Sequence, residues 1–375
     1  MAKIEKIKAL AEAGKYDLSC SCNEERKRKD LPKIDSNELS MIYRASMPEN
    51  KFIYLFKTLY SNACSFDCKY CVNSSECINK KNKMSYSPEE LAKTFKLLHN
   101  KKLVDGIFLS SAICGEPDKV MESMIEATEL IRFKQNFQGY IHLKVLPGTN
   151  FDLVKRATEL AQRVSINIES TGKQRLNELS SQKEFQTDLI KRQKWIQKLN
   201  DSNQTTQLVV GAAGETDKEI IKTMDYEYKE IKIERMYYSA FKPIQNTPLE
   251  NKKGIDSIRQ FRLYNSDYLY RSYGVKKNEL IEIMDENDFL PRTDPKIALA
   301  QNFFDSALDP NQAKYSELLR VPGIGHKTAQ KVKEFAEKEK INSRKQLKSL
   351  GVILRRADPF LKLNGWKQGN LREWN

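Results

Sequence analysis

Between Phe52 and Phe241, short apolar runs alternate with segments in which apolar residues recur every three or four positions. The runs predict strands at Phe52–Leu59, Gly106–Ser111, Tyr140–Val145, Val164–Ile168, Gln207–Val210 and Met236–Phe241. Leu91, Phe95 and Leu98 keep helical spacing in one interval, as do Leu153, Ala157 and Leu160 in another. Two helices announce their starts: Ser87-Pro88-Glu89-Glu90 and Thr216-Asp217-Lys218-Glu219 both read as capping boxes, the first with proline in its opening turn. A strand that returns parallel to its predecessor needs a long crossover, usually a helix. Six strand–helix repeats therefore predict an α/β fold, a partial (β/α) barrel whose functional residues sit on the loops that follow the strands.

The flanks are helical. Residues 2–13 carry Ile4, Ile7 and Leu10 on one side of a helix that stops at Gly14. In residues 252–309, Ile258, Phe261, Tyr268 and Leu269 trace a face that ends at Gly274, and Asp294-Pro295 opens a further helix by N-cap and first-turn proline. Tyr264, Tyr268, Tyr270 and Tyr273 in this stretch read as core aromatics. The expected divisions are an N-terminal extension at 1–49, a core at 50–250, a helical connector at 251–309 and a C-terminal region at 310–375.

Composition narrows the function. A chain of 375 residues is long enough for two or three domains, and no stretch of it approaches a membrane span. Met1 to Ile7 carries no secretory signal, so a cytoplasmic protein with no membrane partner is expected. The seven cysteines lie in the N-terminal third, which suits metal ligation better than a disulfide framework. His99, His142 and His326 are scattered, which gives a histidine metal site or a Ser/His triad little to build on. Charge is uneven: from Pro310 onward there are 15 basic and 6 acidic residues, so this region holds +9 of the chain's +14. A local basic excess is the footprint of a phosphate-backbone binder. The run Arg26-Lys27-Arg28-Lys29 reads as a solvated face.

The densest chemistry lies in Cys64-Ser65-Phe66-Asp67-Cys68-Lys69-Tyr70-Cys71. Three thiolates at C-x3-C-x2-C spacing can hold three corners of an iron–sulfur cube and leave the fourth iron open. With Cys77 as a fourth thiolate the same loop could close a tetrahedral zinc site instead. Cys20 and Cys22, at C-x-C, do not make a site by themselves.

The spacing, with Tyr70 just before the last cysteine, resembles the signature of radical S-adenosylmethionine (radical SAM) enzymes, where the amino and carboxylate groups of SAM chelate the open iron. The resemblance implies a partial (β/α)6 TIM-type barrel, a 4Fe-4S cluster on Cys64, Cys68 and Cys71, and SAM as second cofactor. Cys114-Gly115-Glu116-Pro117 is similar to the family's Gly-Gly-Glu-Pro stretch that holds the SAM amino group, with Cys114 in place of the first glycine. The fourth strand's Ser165, Asn167 and Glu169 correspond to polar residues facing the SAM ribose and carboxylate. Gly211 begins a turn like the one beside the adenine, and Phe241-Lys242-Pro243-Ile244 is a similar strand exit.

Near the C-terminus, Leu318 to Val332 resembles a helix-hairpin-helix motif. The implied DNA contacts are Gly323, Ile324, Gly325, Lys327 and Thr328, with the glycines allowing a phosphate close to backbone amides. Leu347 to Arg356 is a weaker echo without the second glycine, expected to pack rather than bind. Together with Tyr16 to Cys20, Tyr237 to Phe241, Thr247-Pro248-Leu249 and Arg262-Leu263-Tyr264, these features resemble the DNA modification or repair radical SAM proteins. Members of that family are often encoded beside a protein similar to uracil-DNA glycosylases. The implied partners are DNA, such a glycosylase-like protein, and a low-potential electron donor such as flavodoxin or ferredoxin. Two other readings stay open at this point: an RNA-modifying radical SAM enzyme, and a non-catalytic DNA-binding protein with a structural metal on Cys64, Cys68, Cys71 and Cys77.

Overall fold

In the computed structural model, which describes residues 2–14, 42–46, 52–78, 82–199, 203–363 and the backbone of 366–367, a single seven-stranded sheet organises the first part of the chain. Cys20, Cys22, the stretch Tyr16 to Cys20 and the basic run Arg26 to Lys29 lie outside the described residues. Helix α1 (Ile4–Ala13) precedes β1 (Ile42–Ser46), and then strands and helices alternate: β2 (Phe52–Leu59), α2 (Pro88–Asn100), β3 (Gly106–Ser110), α3 (Pro117–Glu129), β4 (Tyr140–Lys144), α4 (Phe151–Leu160), β5 (Arg163–Ser165), α5 (Lys173–Leu179), α6 (Lys191–Leu199), β6 (Gln204–Val210), α7 (Asp217–Lys229) and β7 (Arg235–Ala240). The six predicted strands are present, and β2 to β7 pair in parallel in their sequence order. A doubly wound sheet would reverse that order at a switch point. Sequential order is that of a barrel segment with six parallel strands where a closed barrel has eight.

The strands were legible because parallel strands are covered on both faces and read as apolar runs. Every residue of β3 is buried, and Phe56, Ile107, Phe108 and Leu109 are among the largest fully buried side chains. Each such side chain contributes about 1.5–3 kcal/mol by leaving water. The helices begin where their caps predict. Ser87 accepts from the Glu90 amide while the Glu90 carboxylate accepts from the Ser87 amide, and Thr216 and Glu219 exchange the same pair of bonds.

Three departures have physical causes. β1 pairs antiparallel with β2 and was not predicted, because Ile-Tyr-Arg-Ala-Ser has neither an apolar run nor alternation; Arg44 lies over the Phe52 ring at 3.6 Å. β6 starts at Gln204, three residues early, since its first half is polar and yet buried. Gln204 Nε2 donates to the Gln193 carbonyl at 3.1 Å, and Thr206 Oγ1 donates to the Ile166 carbonyl at 2.8 Å. The same threonine shortens β5: its hydroxyl also accepts from the Ile168 amide, so a side chain stands where ladder bonds would continue.

The described residues divide into two compact units, Met1–Glu215 with Thr223–Asp256, and Thr216–Lys222 with Ser257–Asn375. The second holds α8 (Ser257–Tyr273), α9 (Lys277–Glu282), α10 (Pro295–Phe303), α11 (Tyr315–Arg320), α12 (His326–Ala336), α13 (Arg344–Ser349), α14 (Leu354–Ala357) and a small two-stranded ladder of β8 (Lys362–Leu363) with β9 (Trp366–Lys367). Ala300 of α10 and the adjoining Phe304 share one core with Leu318, Ile324, Val332, Leu347 and Phe360. Among the described residues no helix is long and apolar enough to cross a membrane.

One buried group makes the sheet unit sensitive to pH. Glu227 on α7 is fully buried; Gln193 Nε2 donates to its Oε2 at 2.8 Å, and its Oε1 has no partner among the described residues. Burial outweighs that one hydrogen bond and pushes the carboxyl up to about 8. Glu227 thus stays protonated in the fold where the unfolded chain, titrating near 4.3, has lost its proton. Its stability contribution is present below that unfolded value and is lost as pH rises toward about 8. Thermal melts at pH 5.5 and 8.5 should show the native chain losing on the order of 5–10 °C more than Glu227→Gln does over the same interval.

Candidate active site

The loop after β2 carries the three cysteines and is anchored on both sides. Toward β3, the Tyr60 amide donates to the Ser110 carbonyl at 2.7 Å and the Ala112 amide to the Ser61 carbonyl at 2.9 Å, which carries the parallel pairing past the ends of the strands. Further along, the Ser65 amide donates to the Ile113 carbonyl at 2.6 Å, and the Gly115 amide donates to the Ser65 hydroxyl at 2.8 Å. Toward α5, the Lys69 amide donates to the Leu179 carbonyl at 2.9 Å. Asp67 completes this side: its buried carboxylate accepts from the Ser180 hydroxyl, from the Ser181 amide at 2.8 Å and from the Ser181 hydroxyl at 2.6 Å. Burial alone would raise the Asp67 carboxyl, but these bonds overcome it and lower its pKa to about 2.

Cys68 and Cys71 meet unfavourable conditions for ionising alone. Cys68 is buried, and Cys64 and Cys71 are half-buried. Burial pushes the Cys71 thiol up to about 12, with the Cys68 and Cys64 charges adding to it and the Asn73 amide, 3.4 Å from its sulfur, opposing it. Burial also raises Cys68, against the pull of Lys183. Three thiols that repel one another's ionised forms suit a cationic group that takes all three as thiolates and releases their protons. Among the described residues no three of His, Cys, Asp and Glu converge closely enough to hold one metal ion. A cube, which takes one thiolate on each corner iron, does not require that convergence.

Beyond the shortened β5, the chain rejoins the ladder at Glu169, whose amide donates to the Gln207 carbonyl at 3.0 Å and whose carbonyl accepts from the Val209 amide at 2.9 Å. Its φ is +63°, a left-handed conformation that costs a non-glycine residue on the order of 1 kcal/mol or more. The turned backbone brings the buried carboxylate to two partners. The Tyr70 hydroxyl lies beside it, and Lys183 Nζ is 3.5 Å from Oε1. Burial, then the Glu169 charge, hold the Tyr70 phenol well above its ordinary value. The Tyr70 ring packs against Leu179, Val209, Ala212, Ala213 and Phe241, which joins the cysteine loop to the ends of β6 and β7. Lys183 also stands beside the Cys68 sulfur; burial works against its charge, but Cys68 and Glu169 outweigh that and raise its pKa.

The remaining residues expected at this site fall as follows. Asn167 is buried, and the Ser165 hydroxyl pairs with His142 Nε2 at 2.8 Å. Gly115 has φ +79° and open space where a side chain would project. Glu116 is exposed, stands just before α3 without a side-chain capping bond and pairs with Lys119 at 3.1 Å, and Pro117 is the first residue of α3. Gly211 has φ +83°, and its amide donates to the buried Glu215 carboxylate. Asp67 and Lys183 were missed from sequence, since an aspartate inside the cysteine loop and a lysine after Ser180-Ser181-Gln182 carry no pattern of their own.

In the second unit, a turn from Val321 to Gly325 links α11 to α12. Ile324 is buried in the core. Gly323 has φ +86°, and a Cβ there would stand 2.6 Å from the Ile353 carbonyl oxygen, so its glycine answers to packing within the unit. Gly325 differs: its φ of −107° suits any residue, and a Cβ would meet only the Tyr273 hydroxyl at 3.4 Å. No side chain caps α12, His326 and Lys327 are exposed, and the Thr328 hydroxyl donates to the Gly351 carbonyl at 3.3 Å. Lys296 braces the turn from beneath, its Nζ donating to the Ile324 carbonyl at 2.6 Å and lying 4.5 Å from the Tyr273 ring centre; burial, then Arg356, lower its pKa to about 8.

Residues 58–226 match the family model described as the radical SAM superfamily. The cofactors of this family are a 4Fe-4S cluster and S-adenosylmethionine, which accords with the three-thiol loop. Among curated proteins, the chain is similar to a biotin synthase of Hydrogenobaculum sp. (strain Y04AAS1), 24% identical over 245 residues that span 59% of this chain and 66% of the relative, just under two thirds. Among solved structures, methylornithine synthase (PylB) matches with a TM-score of 0.48 and 14% identity over 57% of this chain and 60% of that one. The FeFe-hydrogenase maturase HydG from Carboxydothermus hydrogenoformans matches with a TM-score of 0.47 and 16% identity over 57% of this chain and 50% of that one.

The Asp67 anchor of the cysteine loop yields a measurable expectation. Asp67→Ala removes the acceptor of three hydrogen bonds, and each donor left unsatisfied costs about 1–3 kcal/mol. The reconstituted variant should lose iron to a chelator roughly tenfold or more faster than the native protein. An unchanged rate of iron loss would show that the seryl anchor does not hold the loop.

Proposed function

We propose that this radical SAM enzyme acts on DNA, modifying or repairing a base or sugar, with Cys64, Cys68 and Cys71 holding the cluster and Cys77 outside it. When bound, the cluster supplies one electron to SAM, whose cleavage gives methionine and a 5′-deoxyadenosyl radical that can remove hydrogen from a substrate. The chain's own part is to position and to exclude water. Gly115 leaves its main chain approachable, Asn167 and Glu169 follow β5 and Gly211 follows β6, and Tyr70 with Leu179, Val209 and Phe241 forms an apolar wall. A low-potential donor of the flavodoxin or ferredoxin class would deliver the electron, and a uracil-DNA-glycosylase-like protein is the proposed partner in repair.

The observation that carries the DNA assignment is Gly325. Neither its backbone angle nor its neighbours require glycine, so the absence of a side chain serves something approaching from outside. What it would approach is the uncapped first turn of an eleven-residue helix, the positive end of a dipole, with Lys327 exposed and without a carboxylate partner among the described residues. Arg320, Arg344 and Arg356 of the same basic region are engaged by Glu279, Asp358 and Asp294, so the free charge is concentrated on fewer residues than the composition implies. Contacts of this kind hold the duplex backbone and carry no sequence preference. A base within the duplex has to be unstacked before chemistry can reach it.

Two measurements test the reading. Anaerobic protein with SAM and dithionite should form 5′-deoxyadenosine, and Cys77→Ala should keep full iron while Ala at Cys64, Cys68 or Cys71 abolishes it; loss of metal on Cys77→Ala with zinc in the native protein would refute the cluster assignment. For DNA, duplex affinity should fall with salt, and Lys327→Ala should flatten the slope of log affinity against log salt by about one unit. Gly325→Val should weaken binding without changing that slope. A native chain with no affinity for duplex DNA at low salt, or with equal affinity after Gly325→Val, sinks the DNA assignment and leaves the radical SAM chemistry standing.

A further inference from the structure

The group least expected at a site for three thiolates is Lys183. It lies only 8% exposed, on the loop after α5, between the Glu169 carboxylate at 3.5 Å and the Cys68 sulfur beside it. Burying an ammonium is costly unless it is paired, and here both partners are themselves buried. Glu169 reaches it only through a left-handed backbone that the β6 ladder holds on both sides. A strained residue is thus maintained where it flanks a buried charge, and that charge faces a cluster-binding sulfur.

We propose that Lys183 is a positioning residue that sets the reduction potential of the cluster by holding its buried charge beside the Cys68 sulfur, with Glu169 as the counterweight. Reduction adds one electron, and so one negative charge, to the cluster and its thiolates. A buried cation beside a ligating sulfur stabilises the reduced form more than the oxidised form and moves the potential upward. The neighbouring carboxylate opposes it. This arrangement rests on the cluster alone and is independent of whether DNA is the substrate.

The test is an anaerobic redox titration of reconstituted protein, followed by electron paramagnetic resonance, without SAM and with iron content measured for each variant. Lys183→Met should shift the oxidised-to-reduced ratio at fixed potential by about tenfold toward the oxidised form, which is about 59 mV for a one-electron couple. Lys183→Arg keeps the charge and should titrate close to the native protein. Glu169→Gln removes the opposing charge and should shift the potential in the other direction. A Lys183→Met protein with full iron and an unmoved potential overturns the proposal. So does an unmoved potential combined with weakened SAM binding, because Lys183 would then serve as the grip on the SAM carboxylate. If Lys183→Met fails to retain iron, Glu169→Gln decides: an upward shift supports the proposal and no shift overturns it.

Discussion

Parallel pairing is the constraint from which the site follows. Each of β2 to β7 leaves the sheet at the same end, so the loops after them are forced to meet there whatever their sequences. The cysteine loop follows β2, Cys114 to Pro117 follows β3, Glu169 follows β5, Gly211 follows β6 and Phe241 follows β7. Had β3 paired antiparallel to β2, the Ser65–Ile113 and Ser65–Gly115 bonds that seat the cysteine loop could not form. The amide-to-carbonyl bonds beyond the last residues of β2 and β3 show that the ladder itself extends into the functional loops.

This explains how much was legible beforehand. The strands were visible because burial on two faces writes an apolar run, and the thiols because cluster ligation demands a fixed spacing. What stayed hidden depends on partners distant in sequence. Ser180 lies 113 residues from Asp67, and nothing local marks either of them. Thr206 is an ordinary strand residue until its hydroxyl is seen replacing the ladder bonds of Ile166 and Ile168. That substitution ends β5 early and hands the conformational burden to Glu169. The irregular strand is therefore the device that aims a carboxylate at Tyr70 and Lys183, and regular alternation could not have foretold it.

The two glycines of the C-terminal turn carry a similar lesson. Read from sequence, both answer to one cause, the close approach of a phosphate. In the structure Gly323 is required by its backbone angle and by the Ile353 carbonyl, and Gly325 is under neither requirement. Equal letters two positions apart thus have different physics. Arg320, Arg344 and Arg356, each paired with a carboxylate, show that part of the basic excess is structural.

The contact at Ile353 has a consequence for how this unit can vary over evolutionary time. Its side chain is 56% exposed, while its amide donates to the Gly323 carbonyl at 3.1 Å and its own carbonyl abuts Gly323. The constraint at position 353 therefore resides in the main chain. Most side chains would be accepted there without altering the turn, but proline, which lacks the amide, would not. A position can in this way be indispensable to its neighbour's shape and still look neutral in any tally of amino-acid identity, its importance showing only as one forbidden residue.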